Sequence, residues 1–243
     1  MFRKLTLALL LTLPTMAMAI DLDGYYITPK GGISKTMDTG ITTFNNGGTV
    51  LDLYDDDLGT GSAFGFSAGK YLSDNFRLEL ELIKRTGYEY DADYNGGGEE
   101  EARMSLAADL DSTSIFVNGF YDFQPFSISN TAITPYLGGG IGISRNKMGE
   151  TTEYAAGVGT GNTIEGDTVN QFAYKLSAGT LVSLTEQLSL DVNYQYVNLG
   201  AFKGSTEFCI DGDCDPDIAY QTGTNGGEIK SQELMVGLQY TFK

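Results

Sequence analysis

The 243-residue sequence has no histidine, two cysteines and five prolines, and its 15 basic residues stand against 32 acidic ones. Because histidine is the usual general base of lipases, deacylases and proteases, its absence argues against those enzymes. The net charge of −17 argues against nucleic acid as a partner, since a phosphate backbone repels such a chain. These shortages predict a protein that is neither an enzyme nor a nucleic-acid binder.

The sequence also lacks long apolar runs. After residue 19, no run approaches the roughly 20 apolar residues that a membrane-spanning helix needs. The run Leu5 to Leu13 follows two basic residues and precedes small residues that end at Ala19, the layout of a secretory signal peptide rather than of a buried helix. We therefore predict a signal peptide over residues 1–19 and one domain over residues 20–243. A membrane form of this domain has to be a closed β-barrel.

Strict alternation of apolar and polar residues dominates the rest of the chain. The segments FRLELEL, LSLDVNYQY and ELMVGLQYTF each place apolar residues at every second position, and charged or polar residues between them. This pattern is typical of strands with one apolar and one polar face. The chain contains eight segments of this kind, and at its full extent each is long enough for the roughly 9 to 11 residues of a strand that crosses a bilayer. Eight such strands are predicted, at 24–37, 61–72, 76–90, 111–123, 133–146, 169–184, 188–199 and 229–242.

The connections between these strands alternate between short and long. The four long ones, 38–60, 91–110, 147–168 and 200–228, contain 21 of the 32 acidic residues and only three basic ones. Short turns on one side and long loops on the other are typical of outer-membrane barrels. The sequence therefore predicts an all-β fold, an eight-stranded antiparallel up-and-down transmembrane β-barrel with short periplasmic turns and four long, acidic extracellular loops.

The polar face of the strands predicts a charged barrel interior. A barrel of eight strands is just wide enough for side chains to fill it, and an unpaired buried charge is costly. We therefore expect interlocking ion pairs that plug the lumen, with a narrow pore for small solutes as the alternative. Glu79 and Glu81 share this face, but their alternation with leucines favours a strand over a pair of catalytic carboxylates. The predicted polar network of the lumen consists of Lys30, Arg77, Glu79, Glu81, Arg85, Asp122, Lys175, Asp191 and Glu233.

The glycine-rich stretch TPYLGGGIGIS fits the same interior. Its alternation places Gly138, Gly140 and Gly142 on the inner side, and no helix follows that would make it a phosphate-binding loop. Glycine in a strand often marks a close approach of bulky groups. We expect long inward side chains, such as those of Arg77 and Lys175, to fill the space.

The segment FCIDGDCDPDIAY in the last long loop contains the two cysteines, Cys209 and Cys214. Outside the cytoplasm, two cysteines so close together predict a disulfide that closes a small loop. Alternating carboxylates make this segment a weak candidate for a Ca²⁺ site, although the spacing of an EF-hand loop is missing. The candidate ligands are Asp211, Asp213, Asp215 and Asp217. No other cofactor is expected.

Several motifs in the second half of the chain resemble a known family. The run TSIFVNGFYDF before TPYLGGGIGIS, the turn SLTEQLSLDVNYQYVNLG and the closing ELMVGLQYTF resemble the opacity-type, OmpA-like outer membrane β-barrel proteins of Gram-negative bacteria, which are related to bacterial surface antigens. The resemblance implies a protein of the cell outer membrane, and we expect it to be a monomer. The resemblance also implies that Tyr240 and Phe242 form the signal for the barrel-assembly machinery.

The function implied by this resemblance is structural or surface-related: envelope integrity, adhesion to a host-surface or other external ligand, or exposure as an antigen. A small porin and a secreted, lipocalin-like carrier are the alternatives.

Outer membrane lipid, including lipopolysaccharide, is the expected surrounding partner. Mg²⁺ or Ca²⁺ is expected to bridge lipid phosphates to the acidic loops. Lys84, on the lipid-facing side near the outer end of its strand, is expected to reach a lipid phosphate.

Overall fold

The computed structural model of the protein describes residues 22–37, 40, 53–55, 58–96, 102–155, 158–205, 208–209 and 226–243. Within these ranges, no helix is long and apolar enough to cross a membrane. The described residues form thirteen strands: β1 Tyr25–Thr36, β2 Leu53–Asp55, β3 Thr60–Tyr71, β4 Phe76–Gly96, β5 Ala102–Asp122, β6 Phe126–Ile128, β7 Thr131–Met148, β8 Thr151–Ala155, β9 Val158–Ile164, β10 Thr168–Ser183, β11 Leu188–Lys203, β12 Phe208–Cys209 and β13 Gly226–Thr241.

Eight of these strands close into an antiparallel barrel. Their order around the barrel is β1, β3, β4, β5, β7, β10, β11 and β13. The last strand returns to pair with the first, in a register that places Leu234 opposite Ile33. Because β13 hydrogen-bonds to β1, the barrel has no open sheet edge, as a structure within a lipid bilayer requires. The prediction of an eight-stranded up-and-down barrel is confirmed.

The outward face of the barrel carries a continuous apolar belt. Large apolar side chains are exposed there on neighbouring strands, among them Leu80, Ile115, Ile141, Leu176 and Leu234. Aromatic residues follow toward the short turns, namely Tyr25, Phe76, Tyr121, Phe123 and Tyr240. An apolar belt bordered by aromatic residues is the lipid-contacting surface of a transmembrane barrel.

The largest departure from the predicted strand bounds is in β4 and β5, which extend far beyond them. The segment 91–110, expected to be a loop, is mostly strand, because β4 and β5 remain paired as far as Gly96 and Ala102. The alternation continues there, since Tyr90 and Ala92 are buried inside while Glu89 and Asp91 point outward. Outside a bilayer, an outward carboxylate is in water and does not interrupt a strand.

Short strands continue this sheet beyond the barrel. On one side β2 pairs with β4, and on the other β8, β9 and β12 follow β5 in that order. The segments 38–60, 147–168 and 200–228, expected to be loops, therefore contain strands of their own. The extra strands cover the edges that β4 and β5 expose where they extend beyond their barrel neighbours.

The glycines of β7 face the barrel interior and leave room for side chains of β5. The three inward glycines are Gly138, Gly140 and Gly142. A Cβ atom added at Gly138 would collide with the ring of Phe120, and one added at Gly140 would collide with the amide of Asn118. Side chains of the neighbouring strand β5 thus occupy the space in which a side chain at these positions would lie, so glycine is required there.

The groups nearest to these glycines thus belong to β5 and not to the expected Arg77 and Lys175. The guanidinium carbon of Arg77 instead lies 4.4 Å from the ring centre of Phe120. The ammonium of Lys175 lies 5.4 Å from the ring centre of Phe116. Both cations thus pack on rings of β5, while Arg77 also contacts Tyr136 of β7 and Lys175 is paired with Gly140 across the two strands.

Candidate functional site

The middle of the barrel interior contains two lysines and two glutamates, which we call the central ion cluster: Lys30, Glu79, Glu81 and Lys175. Lys30 donates hydrogen bonds to Glu79 at 3.1 Å and to Glu81 at 2.8 Å. Lys175 binds the other carboxylate oxygen of Glu81 and donates to Gln195 at 3.2 Å. All four charged side chains are at most 9% exposed. Because Glu81 lies between two ammonium groups, its buried charge is compensated from both sides.

A second buried ion pair lies toward the short turns. The Nε atom of Arg77 is 3.0 and 3.1 Å from the two carboxylate oxygens of Asp122. The guanidinium group also packs on the rings of Phe120 and Tyr136, with its carbon 4.4 and 4.5 Å from their centres. Arginine suits this position because its planar group can stack on aromatic rings while it binds a carboxylate.

A third ion pair lies toward the long loops. The side chains of Arg85 and Glu233 are both 0% exposed. Arg85 donates to Glu233 Oε2 at 3.1 Å and to the hydroxyl of Ser114 at 2.7 Å. Ser34 donates a further hydrogen bond to Glu233 at 2.7 Å. This pair therefore has the additional hydrogen bonds that a buried salt bridge needs to be tolerated.

Asp191 is held by hydrogen bonds rather than by an ion pair. It accepts a 2.6 Å hydrogen bond from the hydroxyl of Tyr136, and Asn193 donates to the same hydroxyl at 2.7 Å. A cavity of about 10 Å³ lies between Asp191 and the central ion cluster. A space of that size has room for about one water molecule. Side chains thus fill most of the interior at this level.

Beyond Arg85, toward the long loops, the interior becomes apolar. Buried side chains from most barrel strands form one cluster there, which we call the apolar cap. It includes the rings of Tyr90 and Phe202, whose centres are 6.2 Å apart. Its members are Leu58, Tyr88, Tyr90, Ala92, Leu106, Ala108, Leu110, Phe116, Met148, Ala173, Val197, Leu199, Phe202 and Ile229. The apolar cap therefore covers the ionic layers from the loop side.

The structure places all nine charges of the predicted lumen network inside the barrel. It also adds hydroxyl partners that the sequence reading missed. Ser34 and Tyr136 occupy inward-facing positions of their strands, so the alternation of side chains could have identified them. Tyr88 could not, because a bulge between Arg85 and Tyr88 reverses the parity of β4.

Three groups of predicted features lie outside the described residues. They are the signal peptide over residues 1–19, the disulfide between Cys209 and Cys214, and the candidate Ca²⁺ ligands Asp211, Asp213, Asp215 and Asp217. For Cys209 only the backbone is described, paired with Thr163 at the edge of the external sheet. Elsewhere in the described ranges, no group of three acidic or cysteine side chains is arranged to hold a metal ion. These features stay predictions.

The predicted assembly signal lies where β13 ends beside the short turns. The rings of Tyr240 and Phe242 are nearly perpendicular, with centres 5.1 Å apart. The backbone nitrogen of Phe242 donates to the carbonyl of Tyr25 at 2.8 Å, which joins the chain end to the first strand. Lys243 donates a hydrogen bond to Glu186 in a turn, and this bond lowers the pKa of that exposed carboxyl group. Recognition by the assembly machinery stays a prediction.

A closed eight-stranded barrel, apolar outside and ionic inside, defines an outer membrane β-barrel protein. The model of the family described as "Outer membrane protein beta-barrel domain" matches residues 5–242 of this chain. The chain belongs to that family. It is therefore a protein of the outer membrane of a Gram-negative bacterium.

Similar proteins come from several genera. The chain is 28% identical over 238 residues to outer membrane protein PagN of Salmonella typhimurium, a match that covers 93% of each protein. It is 26% identical to "Putative adhesin RC1281" of Rickettsia conorii, over 74% of this chain and 68% of the relative. The crystal structure of Neisserial surface protein A superposes with a TM-score of 0.50 at 16% identity, covering 90% of this chain and 98% of the other. This last similarity concerns the fold alone.

Proposed function

We propose that the protein is a surface adhesin whose barrel anchors it in the membrane and whose loop end binds an external ligand. The observation that carries this proposal is the filled interior. Ionic layers around Arg77, Glu81 and Arg85 and the apolar cap leave little space for a solute to pass. A barrel of this kind acts through the parts that extend beyond the membrane.

The relatives support the same function. One of them carries the name of an adhesin. Catalysis is not part of the proposal, since the chain has no histidine. The paired carboxylates Glu79 and Glu81 are bound by lysines inside the barrel and are not accessible to a substrate.

The loop-side extension of the barrel gives the proposed binding face an acidic character. Glu89 and Asp91 on β4 and Asp109 on β5 are exposed on the outward side. Glu89 lies directly opposite Asp109 across the two strands. Two like charges directly opposite each other on neighbouring strands destabilise a sheet. We propose that this acidic surface contributes to ligand binding and favours a basic partner or one bridged by divalent cations.

Adhesion is tested by expressing the protein on a non-adherent Gram-negative host and counting the bacteria that bind to cultured mammalian cells. The variant E89Q/D91N/D109N is expected to reduce binding several-fold, because rim charges set the rate of association. A matched control, D74N/E186Q, removes charge from the short turns and is expected to bind as the unmodified protein does. If the unmodified protein confers no more binding than an empty vector while the folded barrel is present, the proposal is wrong.

The porin alternative is tested separately. The purified barrel is expected to give no conductance steps in a planar lipid bilayer, with a water-filled porin as the positive control. The physical reason is the buried ion pairs, which would have to separate before hydrated ions could pass. Reproducible conductance steps that disappear when the protein is denatured would contradict a plugged lumen.

A further inference from the structure

Three basic residues lie close together on the outward face of the barrel. Lys84 is on β4, and Arg145 and Lys147 are on β7. Strand β5 runs between them, and its Thr113 is paired with both Lys84 and Arg145. Since neighbouring strands are about 4.8 Å apart, the backbones of Lys84 and Arg145 are about 10 Å apart, and their long side chains can reach one group. We call these three basic residues the basic border.

The basic border lies directly above the apolar belt. Two residues closer to the short turns on the same three strands, the paired outward residues are Leu82, Ile115 and Ile143. These side chains are 51%, 54% and 64% exposed on the outside of the barrel. On β4 and β7, the outward surface thus changes from hydrocarbon to positive charge over two residues. That change coincides with the place where lipid acyl chains meet their headgroups.

The charges of the basic border are only partly compensated by the protein. Lys84 forms a loose ion pair with Asp111 at 3.6 Å, in which the two side chains are 47% and 38% exposed. Within the described residues, Arg145 and Lys147 form no ion pair. The patch therefore retains positive charge at the loop end, although the predicted long loops themselves are strongly acidic. A positive patch in this place can attract an anionic group outside the protein.

An apolar groove of about 840 Å³ adjoins the basic border on the outward face. It extends across the strands from Leu190 on β11 to Lys84 and Thr113. Its floor is β1 at Pro29 and Gly31, where the strand presents little side chain. Its walls are formed by Phe64, Phe66, Val236 and Leu238. A groove of this composition suits acyl chains, and at one end it meets Lys84 of the basic border.

We propose that the basic border and this groove form a docking site for lipopolysaccharide, the phosphorylated and multiply acylated glycolipid of the outer leaflet. The three cations bind a phosphate of its lipid A portion, and the groove takes acyl chains of the same molecule. The site lies at the loop end of the belt, which is the outer leaflet in this orientation of the barrel. A glycerophospholipid carries fewer chains and is mainly an inner-leaflet lipid. This site does not depend on the proposed adhesive function.

The test is binding of diphosphorylated lipid A to the purified, folded barrel in detergent, measured by native mass spectrometry. The variant K84Q/R145Q/K147Q is expected to bind at least about tenfold more weakly, because each basic residue near an anionic lipid contributes to binding. A matched control, K70Q/K203Q/K243Q, removes the same charge elsewhere and is expected to bind as the unmodified protein does. Dephosphorylated lipid A is expected to bind weakly to all of them.

Two further measurements identify the ligand. Inorganic phosphate is expected not to displace lipid A, since it cannot occupy the groove. The substitution Gly31→Phe fills the groove and should weaken lipid A binding without unfolding the barrel, because a Cβ at Gly31 has only an ordinary contact, 3.7 Å from the carbonyl of Ala63. Equal binding by K84Q/R145Q/K147Q and the unmodified barrel would overturn the proposal. So would equally tight binding of phosphatidylglycerol, since the patch would then be an unselective anionic-lipid surface.

Discussion

Replacing Glu233 with alanine is expected to lower the free energy of unfolding of the barrel by about 3–5 kcal/mol, the usual cost of breaking a buried ion pair. Arg85 would keep its charge in the interior without a carboxylate, since its side chain is 0% exposed. Ser34 and Gln195 would lose their acceptor as well. The measurement is urea-dependent unfolding in lipid vesicles, with the folded fraction read from the heat-modifiable band on a gel.

The control is Glu228→Ala, which removes the exposed partner of Lys230. That pair is 2.6 Å long, but its side chains are 34% and 51% exposed. Exposed pairs contribute about 0–1 kcal/mol, so little change in stability is expected. The double variant R85M/E233L should recover much of the loss, because apolar groups of similar volume can replace a buried pair. If Glu233→Ala is no more destabilising than Glu228→Ala, the ion pair does not have the structural role assigned to it.

The barrel itself could be predicted from the sequence because side chains in a strand alternate with a period of two. Charges such as Arg77 and Glu81 fall on one face and leucines on the other, and a closed barrel satisfies both. The strand ends could not be predicted. Glu89 and Asp91 belong to residue types that are depleted in strands, yet they lie on a strand whose outward face has left the bilayer. The bulge after Arg85 has no sequence signature apart from Gly87, whose φ is +82°.

The contents of the interior could be predicted, but the partners could not. Arg77 binds a carboxylate 45 residues away, and Arg85 binds one 148 residues away. These pairings depend on the register of strands around the closed barrel, which alternation alone leaves open. The basic border illustrates the same limit. Lys84 could be assigned to the lipid-facing side by parity, but only the pairing of β5 with β7 brings Arg145 next to it.

Replacing Gly142 with leucine is expected to prevent the barrel from folding. A Cβ atom at this position would collide with the carbonyl oxygen of Ile115 and lie 2.9 Å from the ring of Phe116. The carbonyl belongs to the backbone ladder between β5 and β7, so it cannot move unless the strands separate. Overpacking alone costs about 1–3 kcal/mol, and a backbone clash adds to that. The measurement is the folded fraction after refolding into vesicles, read from heat-modifiability.

Gly140→Leu should also impair folding, but part of that loss should be reversible. The group nearest to a Cβ at Gly140 is the amide of Asn118, a side chain that can be shortened. Asn118→Ala is therefore expected to rescue part of the folding of Gly140→Leu, whereas no side-chain change on β5 should rescue Gly142→Leu.

The matched control is Gly119→Leu, on the outward face of β5. There the nearest atom to an added Cβ is the Cδ2 of Leu78 at 3.9 Å, an ordinary contact. A leucine at this position joins the apolar belt and is expected to fold as the unmodified protein does. If Gly119→Leu and Gly142→Leu fold equally well, the packing of β5 side chains against β7 does not require glycine at these positions. Unequal folding would mean that the glycine run of β7 is the space into which the side chains of β5 pack.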